Sequence, residues 1–384
     1  MNIRFSYLKE KFTKYFAEHI FERIWSDVVS SGDFTLGKAV TEFETRFAQK
    51  MGVKYAIGVA NGTDALELSM WAAGVRAGDE VIAPANTFVA SLGAIGNLQA
   101  RPVLVDIGHD YVMDVSKVAA AITHKTRAIM PVSFCGNPVD LDPLFEIAKR
   151  YNLKVIGDNC QSYLAEYKGK CVGSMEYTGC FSLHPLKILN CWGDGGVITT
   201  NDEEVYKEIR LHQNHGMADR NTYTRFPCRN SRLDSIHAVV CNTQIDDVPS
   251  NVAKRRDNAK YYDDNLKDTV YIIKRNPERL SVYHLYFIEV DYDIRDTLYQ
   301  FLIDAGIEVK IHYKTPLYLQ PGLEVLGYKR GDFPVADMIC DRIITLPVDE
   351  LVTREMQNYV ISKIKEFFKC RSKVKLNVEN SLSW

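Results

Sequence analysis

Short apolar runs alternate with amphipathic stretches through the first two thirds of the chain, and this alternation predicts the architecture. After a polar helical segment reaching about Ser30 and a turn-rich entry, Val40, Phe43, Phe47 and Met51 recur at the spacing of one helix face. A strand over 55–60 and a helix over 65–73 follow. Residues 80–84 read as a short buried strand that passes through Asn86-Thr87-Phe88 into an Ala/Gly-rich helix. Strands at 102–106 and 127–132 then alternate with helices at 115–122 and 141–151, with Asp114 and Asp140 as their caps. Further on, an apolar run over 154–157, another ending at Ser182 and a strand at 197–200 precede a helix capped by Asn201. Strands in alternation with helices make an α/β fold whose sheet is mostly parallel and doubly wound.

From about residue 251 the pattern changes. A long charged helix leads to strands near 270–274 and 283–290, a helix at 295–305, another strand reaching Tyr313, and helices after Pro334 and Thr353. The expected division is a large domain over 1–250, a smaller C-terminal α+β domain over 251–369, and a mobile tail at 370–384.

In open α/β sheets ligands gather at the carboxyl ends of the strands, and the chemistry of this chain is concentrated there. The 154–157 run delivers Asp158 and Gln161; the next delivers Ser182, followed closely by Lys187. This ordered set suits pyridoxal phosphate: a lysine amine to hold the aldehyde as a Schiff base, a carboxylate to keep the pyridine nitrogen protonated, and a hydroxyl for the phosphate. Upstream, Asn61-Gly62-Thr63-Asp64 joins a strand to a helix start, where free N–H groups and the helix dipole favour an anion. Taken alone this is an ordinary helix cap; beside Lys187 it reads as the phosphate site. Phe88 ends a neighbouring strand and would lie over the mouth of the sheet.

Composition narrows the function further. A net charge of -2, from 47 basic and 49 acidic residues, gives no global field that favours nucleic acid. The 9 cysteines lack CxxC or Cys/His ligand spacing, so reduced thiols are expected rather than a disulfide framework or a metal site. The N-terminus is too charged for a secretory signal and no apolar run reaches membrane-span length, which together predict a cytoplasmic protein without a membrane partner.

The chain resembles the DegT/DnrJ/EryC1/StrS family of pyridoxal-phosphate sugar aminotransferases. The resemblance rests on an ordered series: Asp158 to Gln161, Tyr167 to Gly173 as Tyr-x-Gly-x-x-x-Gly, Phe181-Ser182, Lys187, and Gly193-Asp194-Gly195-Gly196. It implies a fold-type I aminotransferase that carries an amino group from glutamate, through the pyridoxamine form of the cofactor, to a nucleotide-linked keto sugar. Gly62, Thr63, Asp64 and Ser182 would then serve the cofactor phosphate, Phe88 would stack on the pyridine ring, and Gln161 would meet the cofactor's phenolate oxygen or ring edge. His184, His312 and Tyr313, with the 316–321 segment, would border the sugar-nucleotide cleft. The resemblance also implies a homodimer in which Asn230 reaches the partner's cofactor phosphate. Here Cys228 replaces the usual glycine of the Gly-x-Asn-x-Arg-Leu motif, so that loop departs from the family pattern. The sequence leaves other activities open: a dehydratase branch, which has histidine where this chain has Lys187, acceptors such as a free keto sugar, a sugar phosphate or a keto-cyclitol, and a non-catalytic regulator.

Overall fold

In the computed structural model, which describes residues 1–17 and 19–381, the predicted alternation becomes one mixed sheet. Its strands are β1 (Tyr55–Val59), β2 (Glu80–Pro84), β3 (Arg101–Val105), β4 (Thr126–Ile129), β5 (Lys154–Asp158), β6 (Thr178–Ser182) and β7 (Gly196–Thr200). They lie in the order β3-β2-β4-β5-β6-β7-β1, and only β7 runs antiparallel to its neighbours. The reversal follows from the connection: β6 returns as β7 through the loop 183–195, without a crossover helix. Apart from the leading lysine of β5, β5 and β7 are buried along their length, which explains their near-continuous apolar runs.

Register brings distant motifs into one row. Ser182 pairs with Gly196, and Gly196 with Val59, so the start of the helix Gly62–Ala72 sits beside the end of β6. A Cβ on Gly196 would lie 2.4 Å from the Asn61 carbonyl oxygen, so only glycine permits this approach. The helix Gly62–Ala72 packs on β6 and β7, while Lys38–Met51 packs on β1 through the predicted face of Val40, Phe43, Phe47 and Met51.

A second apolar cluster unites the helix Val248–Leu266, the antiparallel pair β8 (Tyr286–Glu289) and β9 (Ile343–Leu346), and the helices Tyr292–Asp304 and Arg354–Ser381. Tyr262, Tyr286, Ile288, Leu298 and Ile344 are at its centre, and Ile3 joins them from the N-terminus.

Several local expectations are corrected. Residues 115–122 form two 3-10 turns, Val115–Lys117 and Ala119–Ala121, with Val115 and Val118 buried three residues apart. Asp114 does cap the first turn, but the Asp140 carboxylate accepts from the Tyr167 hydroxyl instead. The cap of Glu203–Gln213 is Asp202, not Asn201, which is occupied by the Lys54 N–H and the Ser174 carbonyl. Residues 270–274 make only a Tyr271–Glu289 bridge, because Ile272 packs against the second cluster and Ile273 against the first. The strand expected before Tyr313 is likewise a single Lys310–Thr345 bridge. Apart from these corrections, the helix Arg354–Ser381 extends into the 370–384 stretch, of which 382–384 lie outside the described residues. Among the described residues no helix is long and apolar enough to cross a membrane.

Candidate active site

At the carboxyl ends of β1, β2, β5 and β6 a cavity of about 410 Å³ opens between the sheet edge and the second cluster. Asp158, the last residue of β5, faces it with only 5% exposure. Ser91 Oγ donates to Asp158 Oδ2 at 2.6 Å, the Cys160 N–H donates to Oδ1 at 3.2 Å, and Thr87 Oγ1 lies 2.7 Å from Ser91 Oγ. Both carboxylate oxygens are thus held by donors, which fixes the acid's orientation.

Lys187 stands opposite, on the loop that β6 enters. That loop is pinned by Leu183 N–H to Gly195 O at 2.8 Å, Cys191 N–H to Leu183 O at 2.9 Å and Lys187 N–H to His184 O at 2.8 Å. Burial pushes the Lys187 amine pKa down, and the neighbouring Cys160 and Asp158 oppose that shift only in part. An amine with a lowered pKa is the form a nucleophile or base requires.

The loop expected to hold an anion, Asn61-Gly62-Thr63, lines the same cavity as Ser182. Asn61 Oδ1 accepts from the Asp64 N–H at 2.8 Å, which leaves the first turn of Gly62–Ala72 at the cavity beside Ser182. A Cβ on Gly62 would come within 2.9 Å of Ser182 Cβ, so only glycine lets the helix start approach Ser182 this closely. Gln161 Oε1 accepts from the Cys135 N–H at 2.7 Å, leaving its NH2 group to donate to a ligand. Phe88 is 53% exposed at the mouth. A carboxylate, an amine and a glycine-opened helix start around one cavity fit pyridoxal phosphate: each has the chemistry that one part of that molecule needs.

The far wall comes from residues 284–285, 312–313 and 348–349. His312 Nδ1 lies 2.8 Å from Thr345 Oγ1, and burial pushes its pKa down to about 4. His184 and Tyr313 also line the cavity, as does His284, whose pKa burial holds well below the usual imidazole range. Arg255 lines it too, but its guanidinium is already committed to Asp349 at 3.0 Å and Glu350 at 2.7 Å, the same carboxylates that Lys11 meets.

Two predicted residues lie outside this lining. The Asp64 carboxylate faces Arg229 at 3.8 Å, and Asn230 is exposed, bridged to Asn214. Arg229 also pairs with buried Glu67, which anchors the Asn230 loop to the helix bearing Gly62. From the 316–321 segment, Tyr318 is buried and donates to Asp337 at 2.5 Å, a packing role. Ser91, Thr87, His284 and Arg255 were not legible as site residues. Only Ser91 left a signal, three residues after Phe88 on the first turn of a helix that starts at the site.

The family model of the DegT/DnrJ/EryC1/StrS aminotransferases matches residues 17–365. A "Pleiotropic regulatory protein" of Geobacillus stearothermophilus is 37% identical, over 90% of this chain and 94% of its own. The "UDP-2-acetamido-2-deoxy-3-oxo-D-glucuronate aminotransferase" of Pseudomonas aeruginosa is 38% identical over 84% of this chain and 88% of its own. Among solved structures, S. venezuelae DesV in complex with a ketimine intermediate superposes with a TM-score of 0.92 at 31% identity, covering 95% of this chain and 98% of that one. With Asp158, Gln161, Ser182, Lys187 and Asp194 lining one cavity and the family match spanning residues 17–365, this chain belongs to the DegT/DnrJ/EryC1/StrS aminotransferase family.

Proposed function

We propose that this protein is a cytoplasmic, pyridoxal-phosphate-dependent aminotransferase that moves an amino group from glutamate to a nucleotide-linked keto sugar. The observation that carries the reading is the pairing of buried Asp158 with Lys187, an amine of lowered pKa, across one cavity that also receives a glycine-opened helix start. When bound, pyridoxal phosphate supplies an aldehyde that takes up the amino group and a pyridinium ring that draws electrons from the substrate carbon.

Lys187 Nζ would hold the aldehyde of the bound cofactor and, as an amine of lowered pKa, would serve as the base that moves protons at the substrate. Asp158, held by Ser91 and the Cys160 N–H, would keep the ring nitrogen of the bound cofactor protonated. Gly62, Thr63 and Ser182 would hold the phosphate, Gln161 would donate to the ring edge, and Phe88 would cover the ring from the mouth. The 251–369 region contributes the wall of His312 and Tyr313 against which the sugar is placed, with His184 at the rim of the 1–250 region.

The acceptor class is supported by the P. aeruginosa relative, whose name specifies a UDP-linked 3-oxo sugar. Lys187 in place of histidine disfavours the dehydratase reading. The regulatory name of the G. stearothermophilus relative keeps a non-catalytic, cofactor-binding role in view, and turnover of a keto sugar distinguishes the two. Incubation with glutamate and a panel of UDP-, dTDP- and GDP-linked keto sugars, with assay of 2-oxoglutarate and aminated sugar, tests the reading. A protein inert toward the whole panel contradicts it.

The proposal includes a homodimer with shared sites, because Asn230 is exposed outside its own cavity on a loop tied to the phosphate helix. Lys187→Ala and Asn230→Ala subunits, each deficient alone, are expected to regain part of the activity when mixed into heterodimers, since one site then recovers a full set. Verified heterodimers without recovery would remove Asn230 from the partner's site.

A further inference from the structure

The family model begins at residue 17, yet Phe5 and Ser6 line the cavity. The segment that carries them is fastened along its length. Ile3 is fully buried and bridges Ile307 in parallel, with Ile3 N–H to Gly306 O at 2.8 Å and Glu308 N–H to Ile3 O at 2.8 Å. Two residues on, the Phe5 N–H donates to Glu308 Oε2 at 2.9 Å. Tyr7 is buried with its hydroxyl 3.4 Å from Met356 Sδ, and Lys11 meets Asp349 at 2.6 Å and Glu350 at 2.8 Å. The fold also makes room for the segment: Gly306 has φ +78°, and a Cβ there would lie 2.6 Å from the Met1 carbonyl oxygen.

This strap places Phe5 against His312, ring centroids 5.8 Å apart, in the cavity wall that also carries His284 and Tyr313. The Ser6 hydroxyl has no hydrogen-bond partner among the described residues. An aromatic ring backed by a histidine offers an apolar face, and the adjacent hydroxyl offers one polar contact. Together they match a pyranose, whose C–H face is apolar and whose edge bears hydroxyls. Residues 17–365 hold what the family has in common, including every group assigned above to the cofactor. The acceptor is what distinguishes one member from another, and a wall contributed from outside the shared region is placed to read it.

We infer that the N-terminal strap, through Phe5 and Ser6, is a specificity-determining wall for the sugar of the acceptor. The inference rests on the keto-sugar reading above and adds residues that the reading does not need.

The test compares full-length holoenzymes carrying Phe5→Ala, Ser6→Ala or Glu308→Ala. Glu308 is a surface carboxylate, so its replacement loosens the strap without altering the cavity lining. The glutamate half-reaction and the keto-sugar half-reaction are followed separately by cofactor absorbance. Phe5→Ala is expected to lower the apparent second-order constant of the acceptor half-reaction roughly ten-fold or more, with a change in rank order across the sugar panel. The glutamate half-reaction is expected to change by less than about two-fold. Ser6→Ala and Glu308→Ala are expected to act in the same sense with smaller size, and Phe5→Tyr to restore most of the loss. Equal loss in both half-reactions, or an unchanged acceptor constant and rank order, overturns the inference. Should Phe5→Ala fail to fold, Glu308→Ala decides by the same criterion. Failure of the underlying reading is seen separately, as an unaltered enzyme inert toward every keto sugar; the comparison is then made on whichever acceptor it uses.

Discussion

Lys187→Ala is expected to retain cofactor and lose transamination by on the order of a thousand-fold or more, because the covalent holder of the cofactor and the base vanish together. Retention follows from contacts the substitution leaves intact: Asp158 with its two donors, and the helix start beside Ser182. Borohydride treatment of the unaltered protein is expected to fix the label on the Lys187 peptide; label on another lysine contradicts the assignment. The substitution also has a stability consequence whose sign follows from the lowered pKa. A cation whose pKa is lower in the folded than in the unfolded chain favours unfolding at every pH below the unfolded value of 10.5, and that cost fades as pH rises toward it. Removing the amine from the cofactor-free protein therefore relieves a cost at neutral pH. Thermal melts of the apo variant at pH 7 are expected to show no loss beyond that of the side chain's packing.

Asp158→Asn is expected to slow the donor and acceptor half-reactions by a similar factor, roughly a hundred-fold or more, because the neutral amide cannot hold the ring nitrogen protonated whichever substrate is present. The structure adds a graded companion. Ser91→Ala removes the 2.6 Å donor to Asp158 Oδ2 while keeping the carboxylate, and a hydrogen bond to a charged group is worth about 1.5–3 kcal/mol. The expected result is a roughly ten-fold loss shared by both half-reactions, with Ser91→Thr restoring most of it. Stopped-flow absorbance checks both variants. A loss confined to one half-reaction would show that Asp158 serves a substrate rather than the ring.

Much of the sheet was legible because its signals are local. The β5 and β6 runs, the glycine at 62 and the helix face of Val40, Phe43, Phe47 and Met51 each report a constraint within a few residues. What was not legible depends on contacts remote in sequence. Residues 115–122 have helical composition, yet Val115 and Val118 are buried at the spacing of a 3-10 turn. The 270–274 run has strand composition, yet its isoleucines are divided between two cores. In the site, Lys187, Asp158 and Ser182 could be read in order, whereas His284, Arg255 and Phe5 reach the cavity from elements far along the chain. Arg255 illustrates the difference in kind. An arginine in a substrate cavity invites a carboxylate-binding role, and only the structure shows its guanidinium bound to Asp349 and Glu350.

The aminotransferase reading is tested most directly by running the halves of the reaction apart. With glutamate alone, the holoenzyme is expected to release 2-oxoglutarate stoichiometric with active sites and to convert its cofactor to the amine form. A nucleotide-linked keto sugar added next is expected to restore the original absorbance and to appear as its amino derivative by mass spectrometry. If the sugar instead loses a hydroxyl and gains no nitrogen, or if glutamate yields no keto acid, amino transfer at Lys187 is contradicted.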